Sequence, residues 1–265
     1  MKIGVCFKIV PDYEEIPAEE WENMEQLDFT YVKKMYGCFD ESALETALRL
    51  KDSYKNAGQE VEAVAVTAGV SSGSVSEALL RGLFAAGFDD VVMLPETEHF
   101  NPSAASKHIA SYFKSNPADI IFTGRMVGPG DSGMFPFYLA KEIGYDVISE
   151  LTEASYNNME KRAEVICKDE TSMKTFALDG KCVCTVGDAA FPNLRLFPLK
   201  ARMEAKKRVF SHFGDEDENI NRENENAGMI LRAEKNEESH CSWIEDKSQE
   251  ETAQFLIDML NGEAK

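Results

Sequence analysis

The chain has 265 residues, with 47 acidic and 28 basic side chains, a formal net charge of −19 and 43% hydrophobic residues. That length holds one large domain or two small ones, and the composition is that of a globular protein. So acidic a balance excludes a groove-wide basic surface for nucleic acid, and no apolar run approaches the ~18 residues of a membrane span.

In chain order, residues 2–10 are an apolar run of strand length, and an acidic stretch follows. Residues 11–28 carry eight acids (Asp12, Glu14, Glu15, Glu19, Glu20, Glu22, Glu25, Asp28) and no base. Ser42 and Glu45 have capping-box spacing ahead of an apolar stripe, Ala43, Leu44, Ala47, Leu48 and Leu50, which predicts a helix stopping at Gly58. Residues 61–66 read as the next strand. After a Gly/Ser loop, Ala68 to Gly73, a second capping box (Ser74 with Glu77) opens a helix ending at Gly87. Residues 91–94 form a third strand, and Pro102 starts a third helix through about Phe113. Ile120–Phe122 is a fourth strand. The loop Gly124 to Gly133 then feeds a helix running to Ile143, with Gly144 at its stop.

Strands alternating with helices at this spacing imply crossover connections, hence an α/β doubly wound, mostly parallel sheet of Rossmann-like kind. Beyond 150 the pattern changes. Residues 162–168 and 172–178 alternate as an added antiparallel strand pair turning near Asp169, and Cys182–Val186 is a further strand. The organisation is read as an α/β nucleotide-binding domain over 1–210 and an acidic C-terminal arm over 211–265. Ser248 and Glu251 open an amphipathic helix in that arm, with Phe255, Leu256, Met259 and Leu260 on one face; it docks on its own body or on a partner. The acid is unevenly placed: the arm carries a net −10 and residues 11–28 a net −8, so the remaining body is close to neutral.

Six cysteines (Cys6, Cys38, Cys167, Cys182, Cys184, Cys241) show no disulfide framework, and the first ten residues lack a secretory h-region. A reduced, cytoplasmic protein is expected. Cys182 and Cys184, two apart on a strand, share a face. With no histidine near them, they are read as small core residues rather than a metal pair.

Ligands of doubly wound sheets bind beyond the C-terminal ends of the strands where strand order reverses. Three loops qualify: Val10-Pro11-Asp12, Thr67-Ala68-Gly69, and Gly124–Gly133. The last has four glycines and leads into a helix N-terminus, an arrangement suited to phosphate. Arg125 offers a charge contact, and Asp131 or Ser132 an N-cap. A plain Gly/Pro turn with an N-cap explains the same residues. The pairs Asp40-Glu41 and Asp89-Asp90 fall where a helix start and a strand start use them. No nucleophile–histidine pair or metalloprotease motif is present, which points to a binding or carrier protein. Phe191-Pro192-Asn193-Leu194-Arg195-Leu196-Phe197-Pro198-Leu199 precedes a basic cluster (Lys200, Arg202, Lys206, Lys207, Arg208). It reads either as a docking knob for a partner or as a buried connection.

Taken together, the order of features resembles the beta subunit of electron transfer flavoproteins. Val5 to Asp12 is similar to that family's opening strand and V-P-D turn, and Phe39 to Lys51 to its first helix. Ala78 to Gly87 resembles a helical segment of the family, and Gly124 to Gly133 occupies the place of its nucleotide loop. Phe197 to Lys207 resembles its partner-recognition loop and the basic helix after it, and Ala227 to Ile230 echoes its tail. The resemblance covers most of residues 1–210. Two departures stand out: Gly37-Cys38 replaces an Asn-Pro, and Pro129 to Met134 replaces D-G-D-T-A-Q.

The resemblance implies a heterodimer with an alpha subunit holding most of an FAD. The beta subunit closes over that flavin and binds AMP or a second FAD, and electrons pass between a flavin-dependent dehydrogenase and an acceptor. By position, the adenine nucleotide lies against Cys6, Phe7, Ala68, Gly124, Val127, Gly130, Asp131, Gly133, Met134 and Phe135. Leu199, flanked by Leu196 and Phe197, falls at the leucine that docks into a dehydrogenase. Two other classes stay open at this point: a stand-alone adenine-nucleotide sensor, and an ATP-cleaving transferase or hydrolase of the same fold.

Overall fold

The structure, a computed structural model, describes residues 1–16, 32–69, 74–95, 101–128, 131–168, 171–214 and 248–260. The predicted strand over 2–10 is two strands, β1 (Lys2–Cys6) and β2 (Ile9–Pro11). The break has a local cause. The Phe7 N–H still donates to Val66 O of the parallel neighbour at 3.1 Å, but the Lys8 N–H turns to the Asp40 carboxylate at 2.9 Å. Beyond it β2 pairs antiparallel with β3 (Lys34–Tyr36) as a separate ribbon. Most of the acidic stretch lies outside the described residues.

Helix α1 spans Cys38–Asn56, starting four residues before the predicted capping box. Gly37 is its N-cap and no side chain caps it. Ser42 and Glu45 are taken for tertiary contacts instead: Ser42 Oγ donates to Pro192 O at 3.0 Å, and Glu45 is buried against Arg195. Strand β4 (Glu62–Ala68), α2 (Ser74–Ala86), β5 (Asp90–Leu94), α3 (Pro102–Ser115) and β6 (Ile120–Gly124) follow as expected. The Ser74 side chain lies outside the described residues, so its capping box is not visible. Asn101 caps α3, its side chain accepting from Ala104 N at 3.0 Å. Helix α4 (Phe135–Ile143) stops where Gly144 takes the left-handed conformation, φ 72°, which costs glycine little.

The strand β7 (Asp146–Asn157) has no counterpart in the sequence reading. Acids at Glu150 and Glu153 break its alternation, Glu150 takes a positive φ of 57°, and its pairing register to the next strand slips between Leu151 and Glu153. Strands β8 (Arg162–Lys168) and β9 (Met173–Leu178) form the expected antiparallel pair and extend the main sheet. Strand β10 (Cys182–Val186) inserts parallel between β6 and β7. Helix α5 (Leu199–Ala205) and a two-residue β11 (Ser211–His212) complete the body.

The nine-stranded sheet runs β11-β5-β4-β1-β6-β10-β7-β8-β9. From β1 the chain winds outward to β4 and β5, then returns across to β6, so strand order reverses between β1 and β6. Alternate residues feed two cores. Val5, Ala65 and Phe122 pack with Leu44, Leu48 and Leu83 of α1 and α2. Val66, Ile121 and Val183 pack with Ile109, Phe113 and Leu139 of α3 and α4. Burial on both faces explains the unbroken apolar runs.

The chain divides into two compact units, Met1–Arg222 and Glu223–Lys265. The described part of the second is helix α6 (Gln249–Leu260) and its cap. That capping box forms: Glu251 N donates to Ser248 Oγ at 3.3 Å and Ser248 N to Glu251 Oε2 at 2.9 Å. No described helix is long and apolar enough to cross a membrane.

At the reversal, α1 lies against the end of β6 so closely that a Cβ on Gly124 would meet Asp40 N at 2.7 Å and Phe39 C at 2.8 Å. These are backbone atoms and cannot rotate away. Gly124→Ala is therefore expected to destabilise the chain by roughly 1–3 kcal/mol, read as a lower urea midpoint at unchanged slope. An unchanged midpoint would show slack where the structure shows contact.

Candidate functional site

Parallel strands end with backbone N–H groups that have no further neighbour, so the point of reversal must supply acceptors. Here Asp40, on the first turn of α1, supplies both. Its two carboxylate oxygens accept from Lys8 N at 2.9 Å and Gly124 N at 3.1 Å, joining the turn after β1 to the turn after β6. Asp40 is buried, and burial pushes its carboxyl up to about 7. The two N–H bonds pull the other way, the nearby Asp131 charge adds to the rise, and Lys8 opposes it. Asp40 is thus more than the helix-start acid that its sequence position suggests. Its role is invisible there because both N–H partners are far away in sequence.

A second carboxylate shapes the loop after β6. Asp131 accepts from Val127 N at 2.8 Å through one oxygen and from Gly133 N at 3.0 Å through the other. It therefore does not cap α4, as the spacing suggests. Met134 occupies the N-cap, Ser132 is exposed, and no side chain caps the first turn of α4. Asp131 instead folds the loop back on itself, which leaves that first turn open.

Cys6 and Phe7 end β1, and both are buried. Phe7 meets Tyr36 edge-on with ring centres 6.0 Å apart. Burial, with the Asp40 charge as a lesser cause, pushes the Cys6 thiol far above its ordinary range, so it is no nucleophile. Ala68, half-buried, ends β4, and Phe135, half-buried, opens α4. Gly130 lies outside the described residues. Arg125 turns elsewhere: its guanidinium stacks 4.3 Å from the Phe39 ring centre and pairs with Glu150 at 3.3 Å. Thr123, on the same face of β6 as the α3–α4 core, buries a hydroxyl with no partner. The residues present suit an adenine nucleotide as hydrogen-bond donors, through Thr123 and the uncapped turn of α4. Arg125 is not aimed at it.

A second feature lies on the α1–α2 face. The loop 191–199 is fastened from below by α1. Leu194 N donates to Glu41 at 3.1 Å, and Arg195 donates to Glu45 from its backbone N at 3.0 Å. The Arg195 guanidinium grips both oxygens of Glu45 and reaches Asp52 at 2.6 Å. Arg49 lies over the Phe191 ring. Phe197 turns in, half-buried against the core, with Arg202 stacked 5.0 Å from its ring centre. So anchored, the loop holds Leu196 96% exposed and Leu199 73% exposed, with Met203 beyond them on α5. Arg81 steadies the far end of α5 by donating to the Ala205, Lys206 and Arg208 carbonyls. Of the three residues read as a docking knob, Leu196 and Leu199 are exposed, while Phe197 is the loop's inward anchor.

Cys182 and Cys184 share the α1 face of β10, with their sulfurs 3.7 Å apart. Among the described residues no three His, Cys, Asp or Glu side chains cluster in a way that could hold a metal ion.

The electron transfer flavoprotein domain family matches residues 36–217, a span that contains the 191–199 loop, Asp40 and the loop after β6 but not the end of β1. The chain belongs to that family. It is 29% identical over 176 residues to a protein of Escherichia coli named as a putative electron transfer flavoprotein subunit, covering 62% of this chain and 64% of that one. It is 27% identical over 209 residues to the electron transfer flavoprotein subunit beta of Bradyrhizobium diazoefficiens, covering 78% of this chain and 79% of that one. The corresponding subunit of Clostridium acetobutylicum is 31% identical over 146 residues, 54% of this chain and 52% of its own. The chain thus spans just under two thirds of the Escherichia coli relative's length. Within this electron transfer flavoprotein domain, the helix α1 carries the acids that build both features.

Glu45 is buried with its charge shared between Arg195 and Arg49, 2.9 Å away. Removing a partner from a buried charge is costly. Arg195→Ala is expected to destabilise the chain by roughly 3 kcal/mol and to make the 191–199 backbone susceptible to limited proteolysis. A loss within a few tenths of a kcal/mol, about the scatter of a surface substitution, would show that the loop is held by other contacts.

Proposed function

We propose that the chain is a beta-type subunit of an electron transfer flavoprotein, pairing with an alpha subunit that holds most of an FAD. The observation that carries this reading is the exposed Leu196–Leu199 knob. Exposing two leucines on a rigid, ion-paired base has no folding advantage, and such surfaces mark sites where another protein docks. The neighbouring Lys200, Arg202, Lys206 and Lys207 give the approach a positive rim, which favours an acidic docking face on a flavin-dependent dehydrogenase and speeds encounter.

The turns after β1, β4 and β6 form the adenine-nucleotide seat, with AMP or a second FAD as its occupant. Cys6, Phe7, Ala68, Gly124, Val127, Asp131, Gly133, Met134 and Phe135 line or shape that seat, and Ser132 and Arg125 flank it. When bound between the subunits, the flavin supplies the electron-transfer chemistry, and the protein tunes access and environment rather than adding acid–base groups. This chain's part is to exclude water with Phe7 and Phe135, to donate hydrogen bonds from Thr123 and the first turn of α4, and to present the knob. We place it in the cytoplasm, in keeping with the free thiols of Cys6, Cys38, Cys167, Cys182 and Cys184 among the described residues.

Co-expression with its large partner should give a yellow 1:1 complex, while the chain purified alone should be nearly colourless. A tightly flavinated, active monomer would overturn the two-subunit reading. In that complex, Leu199→Ala should slow electron transfer from the dehydrogenase by about tenfold, the weight of a removed interface anchor, and leave the flavin spectrum unchanged. Stopped-flow absorbance reads both, and an unaltered rate would return the loop to a passive connection.

A further inference from the structure

The turn after β1 and the turn after β6 are held together by a single side chain with two acceptors, and that side chain titrates. We propose that Asp40 is a proton-responsive positioning residue: as a carboxylate it ties Lys8 to Gly124, and on protonation it releases one of them and lets the two turns separate.

The geometry is specific. Oδ2 accepts from Lys8 N and Oδ1 from Gly124 N, so both oxygens are engaged. A protonated carboxyl carries its proton on one oxygen, which then opposes an N–H and becomes a poor acceptor. Space around it is fixed: a Cβ on Gly37 would meet Oδ2 at 2.7 Å, and one on Gly124 would meet Oδ1 at 2.6 Å. Only glycine at these two positions leaves room for the carboxyl in this arrangement. The titratable and charged groups facing it are Cys6 and Lys8 from the end of β1 and Asp131 from the loop after β6. Cys6 stays a neutral thiol, Lys8 favours the Asp40 charge, and Asp131 disfavours it.

Burial is the largest cause of the raised value near 7, so the group changes charge close to neutrality. The sign follows from linkage. The folded chain holds this proton at pH values where the unfolded chain has already lost it. The Asp40 contribution to stability therefore falls as pH rises from about 4 to about 7, and the full desolvation cost stands above that. The chain thus trades stability for a tied seat above neutrality and relaxes the seat below it. The consequence for ligand binding rests on the nucleotide reading of this seat, while the titration of the tie does not.

The test uses the full chain, isotopically labelled, between about pH 5.5 and 8.5, a window centred on the Asp40 midpoint near 7. The Lys8 and Gly124 amide resonances should move together with one midpoint in that window, and their exchange protection should rise with pH by at least about fivefold. Asp40→Asn should abolish the shared transition, and Asp131→Asn should move its midpoint lower, which keeps the proposal testable in a chain with Asp40 intact should Asp40→Asn fail to fold. No shared transition, or one that survives Asp40→Asn, would overturn the proposal. Calorimetry with AMP then reads the coupling: its affinity should differ by at least about fivefold across the window in the parent chain, and stay flat in Asp40→Asn. AMP that binds at no pH, with the amide transition present, would refute the nucleotide reading and leave the tie standing. AMP that binds with one affinity throughout would overturn the coupling.

Discussion

The Asp40 carboxylate lies where the chain must do two incompatible things. A parallel sheet that reverses strand order leaves backbone N–H groups at the ends of its central strands, and these need acceptors. On the nucleotide reading proposed above, the same point must also stay open enough to seat a ligand. A side chain from the first turn of α1, accepting from Lys8 and Gly124 at once, satisfies the N–H groups without filling the crevice. Gly124 follows from this, because no residue with a Cβ fits where α1 meets the end of β6. The division of the apolar run at residues 2–10 into β1 and β2 follows too, because Asp40 takes the N–H that would have continued the strand.

The 191–199 loop obeys the same logic with the signs reversed. Leu196 and Leu199 can stay in water only because their loop is immobilised by charges that are themselves out of water. Glu45 alone would be a costly buried anion. With Arg195 and Arg49 on it, it becomes a fixed point from which the loop projects. Arg195 also reaches Asp52 on the solvent side, so one guanidinium joins the buried and exposed ends of the clamp. Pre-organising a loop in this way lowers the ordering cost at binding.

Much of the fold was legible because strands buried on both faces and helices ended by Gly58, Gly87 and Gly144 leave strong local patterns. What was not legible depended on long-range partners. β7 was missed because Glu150 and Glu153 interrupt its alternation; the sheet accepts them through a register slip and a positive φ at Glu150. The Ser42–Glu45 pair has the local spacing of a cap but serves Pro192 and Arg195, some 150 residues away. Asp131 was noticed for the wrong reason: it folds the loop after β6 rather than capping α4. Asp40 was passed over because an acid at a helix start already has a sufficient local explanation. The glycines at 37 and 124, whose missing side chains make room for it, are its one trace in the sequence.

The two features share one mount. Asp40 ties the turns after β1 and β6, Glu41 holds Leu194, and Glu45 and Asp52 hold Arg195, all on α1. The segment Phe39 to Lys51, which resembles the family's first helix, is therefore the part of the chain that fixes the Asp40 tie and the 191–199 loop in one frame. Because α1 is a continuous helix packed under the sheet, the separation between the Asp40 tie and the 191–199 loop is set by helix geometry rather than by loops. On the electron-transfer function proposed above, that separation is the quantity the fold must hold constant. A substitution that tilts α1 is then expected to disturb both features together, whereas one confined to the knob leaves the seat intact.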